Sequence, residues 1–258
     1  MLEWTIYALI GVLSGLFSGL LGLGGGVIIV PALLIVFSWQ GLLDSYLMHI
    51  AVATSLMTII VTSTTSSYSH HKHDNVDWAL VVKLTPGLIL GGGLGAFFAT
   101  QLSSQFLQYS FSLYLLFAAI KIWLPIPFTF HDKLLKKSAL ISFGGVVGVI
   151  SSLVGIGGGT LIVPYLVMAN HPIKRAIGTS ATCGIPIAIS AVAGFILFSQ
   201  EQIDKTMISG VGFIHWPAFW GIVSTSSIFA LVGVKLANHL HIKVLKQIFS
   251  LVLLLGAL

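Results

Sequence analysis

Two glycine-rich breaks carry the chemistry this chain can do. Gly22, Gly24, Gly25 and Gly26 form one G-x-G-G-G run with Pro31 downstream, and Gly155, Gly157, Gly158 and Gly159 form a second with Pro164. Consecutive glycines sustain a helix poorly and let other atoms approach the backbone. Each run therefore predicts the end of one helix and the start of the next at Val27 or Thr160, with the proline kinking or shortening the new helix. The first amides of a new helix have no partner within it and carry the positive end of its dipole. An anion is their natural ligand. Thr54-Ser55 and Thr179-Ser180 add neutral hydroxyl donors that would complete an oxyanion's hydrogen bonds. The alternative, that these hydroxyls bond their own backbone or join helices, stands beside it. Nucleotide binding is excluded: neither run completes GxGxxG, neither continues into GK[ST], and no strand precedes them.

The two breaks belong to a duplication. Gly11–Leu33 and Gly144–Leu166 align at a constant offset of 133, sharing Gly11/Gly144, Gly15/Gly148, Ser18/Ser151, the glycine runs and the prolines. Ala51–Ser55 then matches Ala176–Ser180, Ile203-Asp204 echoes Val76-Asp77, and Gly95–Leu102 matches Gly233–Leu240, with Phe111 on Phe249. Interrupted apolar helices in matching positions of two halves point to a transporter's binding site. The glycines spaced by four (Gly11/Gly15/Gly19, Gly144/Gly148 with Ser152, Gly87/Gly91/Gly95) read instead as close helix packing.

Apolar segments fall near 4–21, 25–41, 45–69, 78–100 and 105–124, then 138–155, 158–169, 173–199, 207–238 and 243–258. A span needs about 20 residues, so 25–41 and 158–169 are short, and full crossings and re-entrant pieces both remain open. The chain is 56% hydrophobic and 7% charged, with a mean hydropathy of +1.03. A soluble domain is about 25% charged, so the prediction is an all-α polytopic membrane protein. The N-terminus lacks a basic region, and its first segment is expected to stay rather than be cleaved. The expected organisation is an N-terminal repeat over 1–124, a cytoplasmic linker over 125–137, and a C-terminal inverted repeat over 138–258, five segments each.

An odd number of segments per repeat inverts the second half. Alternating the loops strictly puts 11 of the 12 basic residues on one face: Lys72, Lys83, Lys121, Lys133, Lys136, Lys137, Lys174, Arg175, Lys235, Lys243 and Lys246. Lys205 alone falls on the other, with Glu3, Asp44, Glu201 and Asp204. The positive-inside rule then predicts a cytoplasmic-membrane protein with both termini outside. The net charge of +5 serves that orientation, so no nucleic-acid partner is expected.

Other reactive side chains have plainer readings. His70, His71 and His73 around Lys72 read as a solvated loop, since no matching ligand cluster occurs in the other half, and no metal is expected. The run Thr62–Ser67 reads as an interfacial helix end, with an aqueous vestibule as the alternative. His215 is a gate or an interfacial residue. Cys183 reads as a small packed residue; alone, it forms no internal disulfide.

The duplicated G-x-x-S-G/S-L-x-G-[LI]-G-G-G-x-x-[IL]-V-P-x-L, followed by A-[VI]-[AG]-T-S, resembles the TauE/SafE family of membrane permeases, described as sulfite exporters. The likeness spans essentially the whole chain, with Ser152 here where the first half has Gly19. It implies transport of small sulfur oxyanions or organosulfonates such as sulfite, thiosulfate or sulfoacetate, with the glycine-run, Pro31/Pro164 and Thr-Ser positions as its motif.

From the residues alone the reading is an inverted-repeat anion carrier, non-enzymatic and without cofactor, whose partners are a small anion and the lipid bilayer. A homo-oligomer is left open. No acid falls well inside an apolar segment, whereas proton-coupled carriers often place carboxylates there. Membrane potential pushes an anion outward by about 2.3 kcal/mol per charge per 100 mV, so export needs no such group. The alternatives are an anion channel and a sodium-coupled carrier of another small anion. An intramembrane enzyme would need a nucleophile–base pair or a metal set within the bilayer, and the sequence offers neither.

Overall fold

The computed structural model describes residues 2–42, 45–123, 136–199 and 213–239. Among them the secondary structure is helical throughout: α1 (Leu2–Leu21), α2 (Gly26–Trp39), α3 (Leu47–Lys72), α4 (Trp78–Gln101), α5 (Ser104–Trp123), α6 (Lys137–Val154), α7 (Gly159–Met168), α8 (Ile173–Phe198) and α9 (Trp216–His239). Six of these, α1, α3, α4, α6, α8 and α9, are long and apolar enough to cross a membrane. α2 and α7 are short, at 14 and 10 residues.

The surface and interior are distributed as lipid demands. Leu9, Leu13, Val82, Leu90, Leu94, Leu113, Phe117 and Ile228 are exposed, whereas Ser14, Ser18, Thr54, Ser55, Thr62, Ser63 and Ser180 are fully buried. Bare hydrocarbon tolerates the first set, whereas hydroxyls are kept away from it. The chain is a polytopic membrane protein.

Helix directions emerge from the close approaches. On α1, Gly11, Gly15 and Gly19 meet the carbonyls of Ile222, Ser226 and Ala230 in ascending order, so α1 and α9 run parallel. Gly87, Gly91 and Gly95 of α4 likewise meet Ile141, Gly145 and Val149 of α6. A Cβ on Gly15 would overlap the Ser226 carbonyl. Only glycine permits that backbone contact, which explains the four-residue stripes. The central pair is antiparallel: His70, Ser67 and Ser63 of α3 meet Gly178, Thr182 and Gly184 of α8 in descending register. Gln40 Nε2, just past α2, donates to the Tyr7 hydroxyl near the start of α1 at 3.0 Å, so the chain reverses between these helices.

Those directions gather the described basic side chains. Lys72 ends α3, Lys136 and Lys137 begin α6, Lys174 and Arg175 begin α8, Lys83 lies near the start of α4, and Lys235 near the end of α9. Lys174 Nζ donates to the Asn238 carbonyl at 2.7 Å, and Asn75 Nδ2 donates to the Asn238 side chain at 3.0 Å, tying three of these helix ends together. Glu3 sits at the opposite end of the bundle, at the start of α1.

Three expectations need correction. Of the described residues in the segment expected over 207–238, helix begins only at Trp216, where the His215 ring caps the first turn. His70 is not in a solvated loop: α3 runs on to Lys72, and the ring is 1% exposed against Gly19. The Thr62–Ser67 run does not end its helix either, since α3 continues to Lys72. Thr62, Ser63, Ser66 and Ser67 face inward and are buried, while Thr64 and Thr65 turn outward and bond the Ile60 and Val61 carbonyls of their own helix. Cys183 is fully buried. Most of the 125–137 linker, the segment at 243–258, the Ile203-Asp204 echo, Phe249, the Lys121 side chain, and Asp44, Lys133, Glu201, Lys205, Lys243 and Lys246 lie outside the described residues.

Candidate functional site

Both glycine runs sit between helices. α1 ends at Leu21 and α2 begins at Gly26; α6 ends at Val154 and α7 begins at Gly159. Gly25 and Gly158 cap the new helices at φ +93° and +78°. Side-chain residues enter that region at a cost, so glycine is required at both.

The runs meet. The Gly157 amide donates to the Leu23 carbonyl at 3.3 Å. A Cβ placed on Gly24 would lie 3.2 Å from the Gly157 Cα, and one on Gly157 would lie 3.2 Å from the Gly24 Cα. The flanking contacts are reciprocal. Gly26 abuts the Gly155 carbonyl and Gly159 abuts the Gly22 carbonyl, each so closely that a Cβ would overlap the oxygen. At the offset of 133 these two contacts are the same contact made twice. All eight motif glycines are buried. Pro31 and Pro164 both lie inside their helices, α2 and α7, about a turn and a half from the start, and neither ends its helix.

The hydroxyls are drawn into the same frame. Ser55 Oγ donates to the Gly155 carbonyl at 2.9 Å, and its counterpart Ser180 donates to the Gly22 carbonyl at 3.3 Å. Each half's serine thus holds the other half's break. Thr54 and Thr179 accept from loop amides, His215 N–H and Asp77 N–H, both at 2.9 Å. In this arrangement the four hydroxyls position backbone around the breaks.

Sequence reasoning missed the role of Asp77 and His215. Asp77 accepts from the Leu80 amide at 3.2 Å and caps α4; His215 Nδ1 accepts from the Ala218 amide at 3.2 Å and caps α9. A signal exists: Val76-Asp77-Trp78 falls on Ile214-His215-Trp216 at the offset of 138 that also relates Gly95 to Gly233. The His215 ring packs 4.9 Å from Phe37 and 6.2 Å from Tyr7. Burial lowers its pKa below the usual histidine value, with Glu3 opposing.

Three further groups surround the centre. Thr62 Oγ1 donates to the Gly24 carbonyl at 2.9 Å. Tyr114 of α5 shares a hydrogen bond with Thr160 in the first turn of α7. Ser63 Oγ would lie 3.2 Å from a Cβ on Gly24 and 2.7 Å from one on Gly184, and it is buried without a partner. Among the described residues no group of His, Cys, Asp and Glu is placed to hold a metal ion.

A polytopic helical bundle built around two touching helix breaks is the architecture expected of a membrane transporter. The chain belongs to the family described as sulfite exporter TauE/SafE, whose model matches residues 7–258. It is similar to a "Probable membrane transporter protein" of Haemophilus influenzae, 34% identical over 254 residues, covering 97% of this chain and 95% of that one. A probable membrane transporter protein of Methanocaldococcus jannaschii is 27% identical over 95% of this chain and 90% of its own. "Probable membrane transporter protein YunE" of Bacillus subtilis is 26% identical over 98% and 96%. No solved structure matches.

Proposed function

We propose that this transporter moves a small sulfur-containing anion, such as sulfite, thiosulfate or an organosulfonate, out of the cell by alternating access, with the two glycine breaks as its centre. The observation that carries the reading is the meeting of Gly24 with Gly157, which puts the starts of α2 and α7 at one place in the bundle. A helix start presents the positive end of its dipole, which favours negative charge there. The two halves are inverted repeats: antiparallel α3 and α8, and the reciprocal Gly26–Gly155 and Gly159–Gly22 contacts, support this. The end bearing Lys72, Lys137 and Lys174 faces the cytoplasm by the positive-inside rule, where it also concentrates the anion. Both termini then lie outside.

Carrier is favoured over channel because backbone from both halves closes the centre, so passage needs the halves to move. The sulfur-anion cargo rests on the family's description. The test is radiolabelled sulfite flux in proteoliposomes. Saturable, exchangeable flux is expected; folded protein giving no flux above empty liposomes would overturn sulfite as cargo, and ohmic single-channel current would replace the carrier by a pore.

A further inference from the structure

The duplication provides an internal control that isolates one feature from the demands of the fold. At the offset of 125 that relates Thr54-Ser55 to Thr179-Ser180, inward residues in the second half of α3 align with residues of α8: Thr62 with Ile187, Ser63 with Ala188, Ser66 with Ala191, and His70 with Phe195. All eight are buried. The same packing position is therefore polar in α3 and apolar in α8, and packing alone does not ask for the hydroxyls.

The polar strip continues from the glycine meeting point to the basic end. Thr62 bonds the Gly24 carbonyl, Ser66 Oγ donates to the Ser18 carbonyl at 3.4 Å, and His70 Nε2 lies 3.0 Å from the Gly19 carbonyl. Just beyond His70 come Lys72 and the Asn75–Asn238–Lys174 contacts. Three polar atoms along the strip are buried with no partner: Ser63 Oγ, Ser18 Oγ and His70 Nδ1. An orphaned buried polar group costs about 1–3 kcal/mol, and three along one seam call for a ligand or water. On α8, by contrast, Ala188, Ala191, Val192 and Phe195 all join the buried apolar core.

We infer that the seam between α1, α3 and α8 is a one-sided passage for a small hydrated oxyanion between the basic end and the glycine breaks, with Ser63 as its innermost contact. This rests on the transport reading. The Ser63 and Ser18 hydroxyls donate to the anion. With Nε2–H given to Gly19, His70 Nδ1 accepts from water or from the O–H of a singly protonated oxyanion. The opposite half of the same fold is a hydrophobic plug.

The test uses thiol accessibility in a Cys183→Ala background, in vesicles of both orientations, with a membrane-impermeant sulfonated methanethiosulfonate. Ser66→Cys and His70→Cys are expected to be modified fully from the basic end and to resist modification from the other. Ala188→Cys and Ala191→Cys are expected to resist from both. His71→Cys, exposed at the basic end, reports that the reagent reached folded protein. No modification at either seam position while His71→Cys reacts would overturn the passage, as would equal modification of Ala191→Cys. A second arm adds excess isethionate, an unreactive sulfonate. Slower modification of Ser63→Cys supports the sulfonate as occupant; unchanged modification at an accessible seam keeps the passage and counts against the sulfur-anion cargo alone.

Discussion

Gly24 and Gly157 stand face to face, each with its Cα 3.2 Å from where the other's side chain would begin. In this pair a motif glycine meets its own counterpart, so a substituent there presses on both halves at once. The two differ in backbone: Gly24 holds φ +73°, whereas Gly157 is not among the positive-φ glycines. Gly24→Ala is expected to lose about 1–3 kcal/mol from the left-handed backbone in addition to the crowding by Ile59 and Gly157. Gly157→Ala bears the crowding alone. Unfolding of the purified variants in detergent should rank Gly24→Ala as the less stable, and flux should fall in both.

The serines that hold the opposite break give a second prediction. Ser55→Ala strips the Gly155 carbonyl of its hydroxyl partner, and Ser180→Ala does the same to Gly22. Each is expected to destabilise by about 0.5–1.5 kcal/mol, the net worth of one hydrogen bond. Equal stability of the alanine variants and the parent would remove the hydroxyls from the frame.

Helix packing predicts a contrast within α4. Gly91 lies hard against the Gly145 carbonyl, whereas a Cβ on Gly93 meets nothing within 4 Å. Gly91→Ala should cost about 1–3 kcal/mol through overpacking. Gly93→Ala should be neutral or better, since alanine gains up to about 1 kcal/mol over glycine within a helix. Thermal unfolding of the two variants side by side decides it.

His215 predicts a pH dependence. Its Nδ1 accepts the Ala218 amide, so the fold holds the neutral ring, and burial lowers its pKa. The stabilisation is complete above the free-histidine value of about 6.5. It is lost as pH falls from there toward the lower folded value, because the unfolded state takes up the proton first. Melting temperature should decline with acidification in that window, and His215→Asn, which caps without titrating, should flatten the slope. An identical slope in both proteins would assign the effect elsewhere.

Much of the bundle was legible because its constraints are local. Leu2–Leu21, Trp78–Gln101 and Ile173–Phe198 coincide with apolar runs of spanning length, and the four-residue glycine stripes announced which faces touch. The hidden features depended on partners distant in sequence. Nothing local to Ser55 says that its proton goes to Gly155, 100 residues away. His70 ends a run of serines and precedes Lys72, so its neighbours read as a polar end; only the approach of Gly19 and Gly178 buries it. The cap at His215 escaped because histidine is an uncommon capping residue, and the repeat, aligned at 138, was the surer guide.

The pairing of α1 with α9 also bears on how the chain is made. Thr225 reaches back to the Ala8 carbonyl across 217 positions, and the Gly11–Gly19 stripe packs against α9. During synthesis the first helix enters the bilayer long before its mate is translated. Its glycine face meets α9 only after the intervening helices have been made.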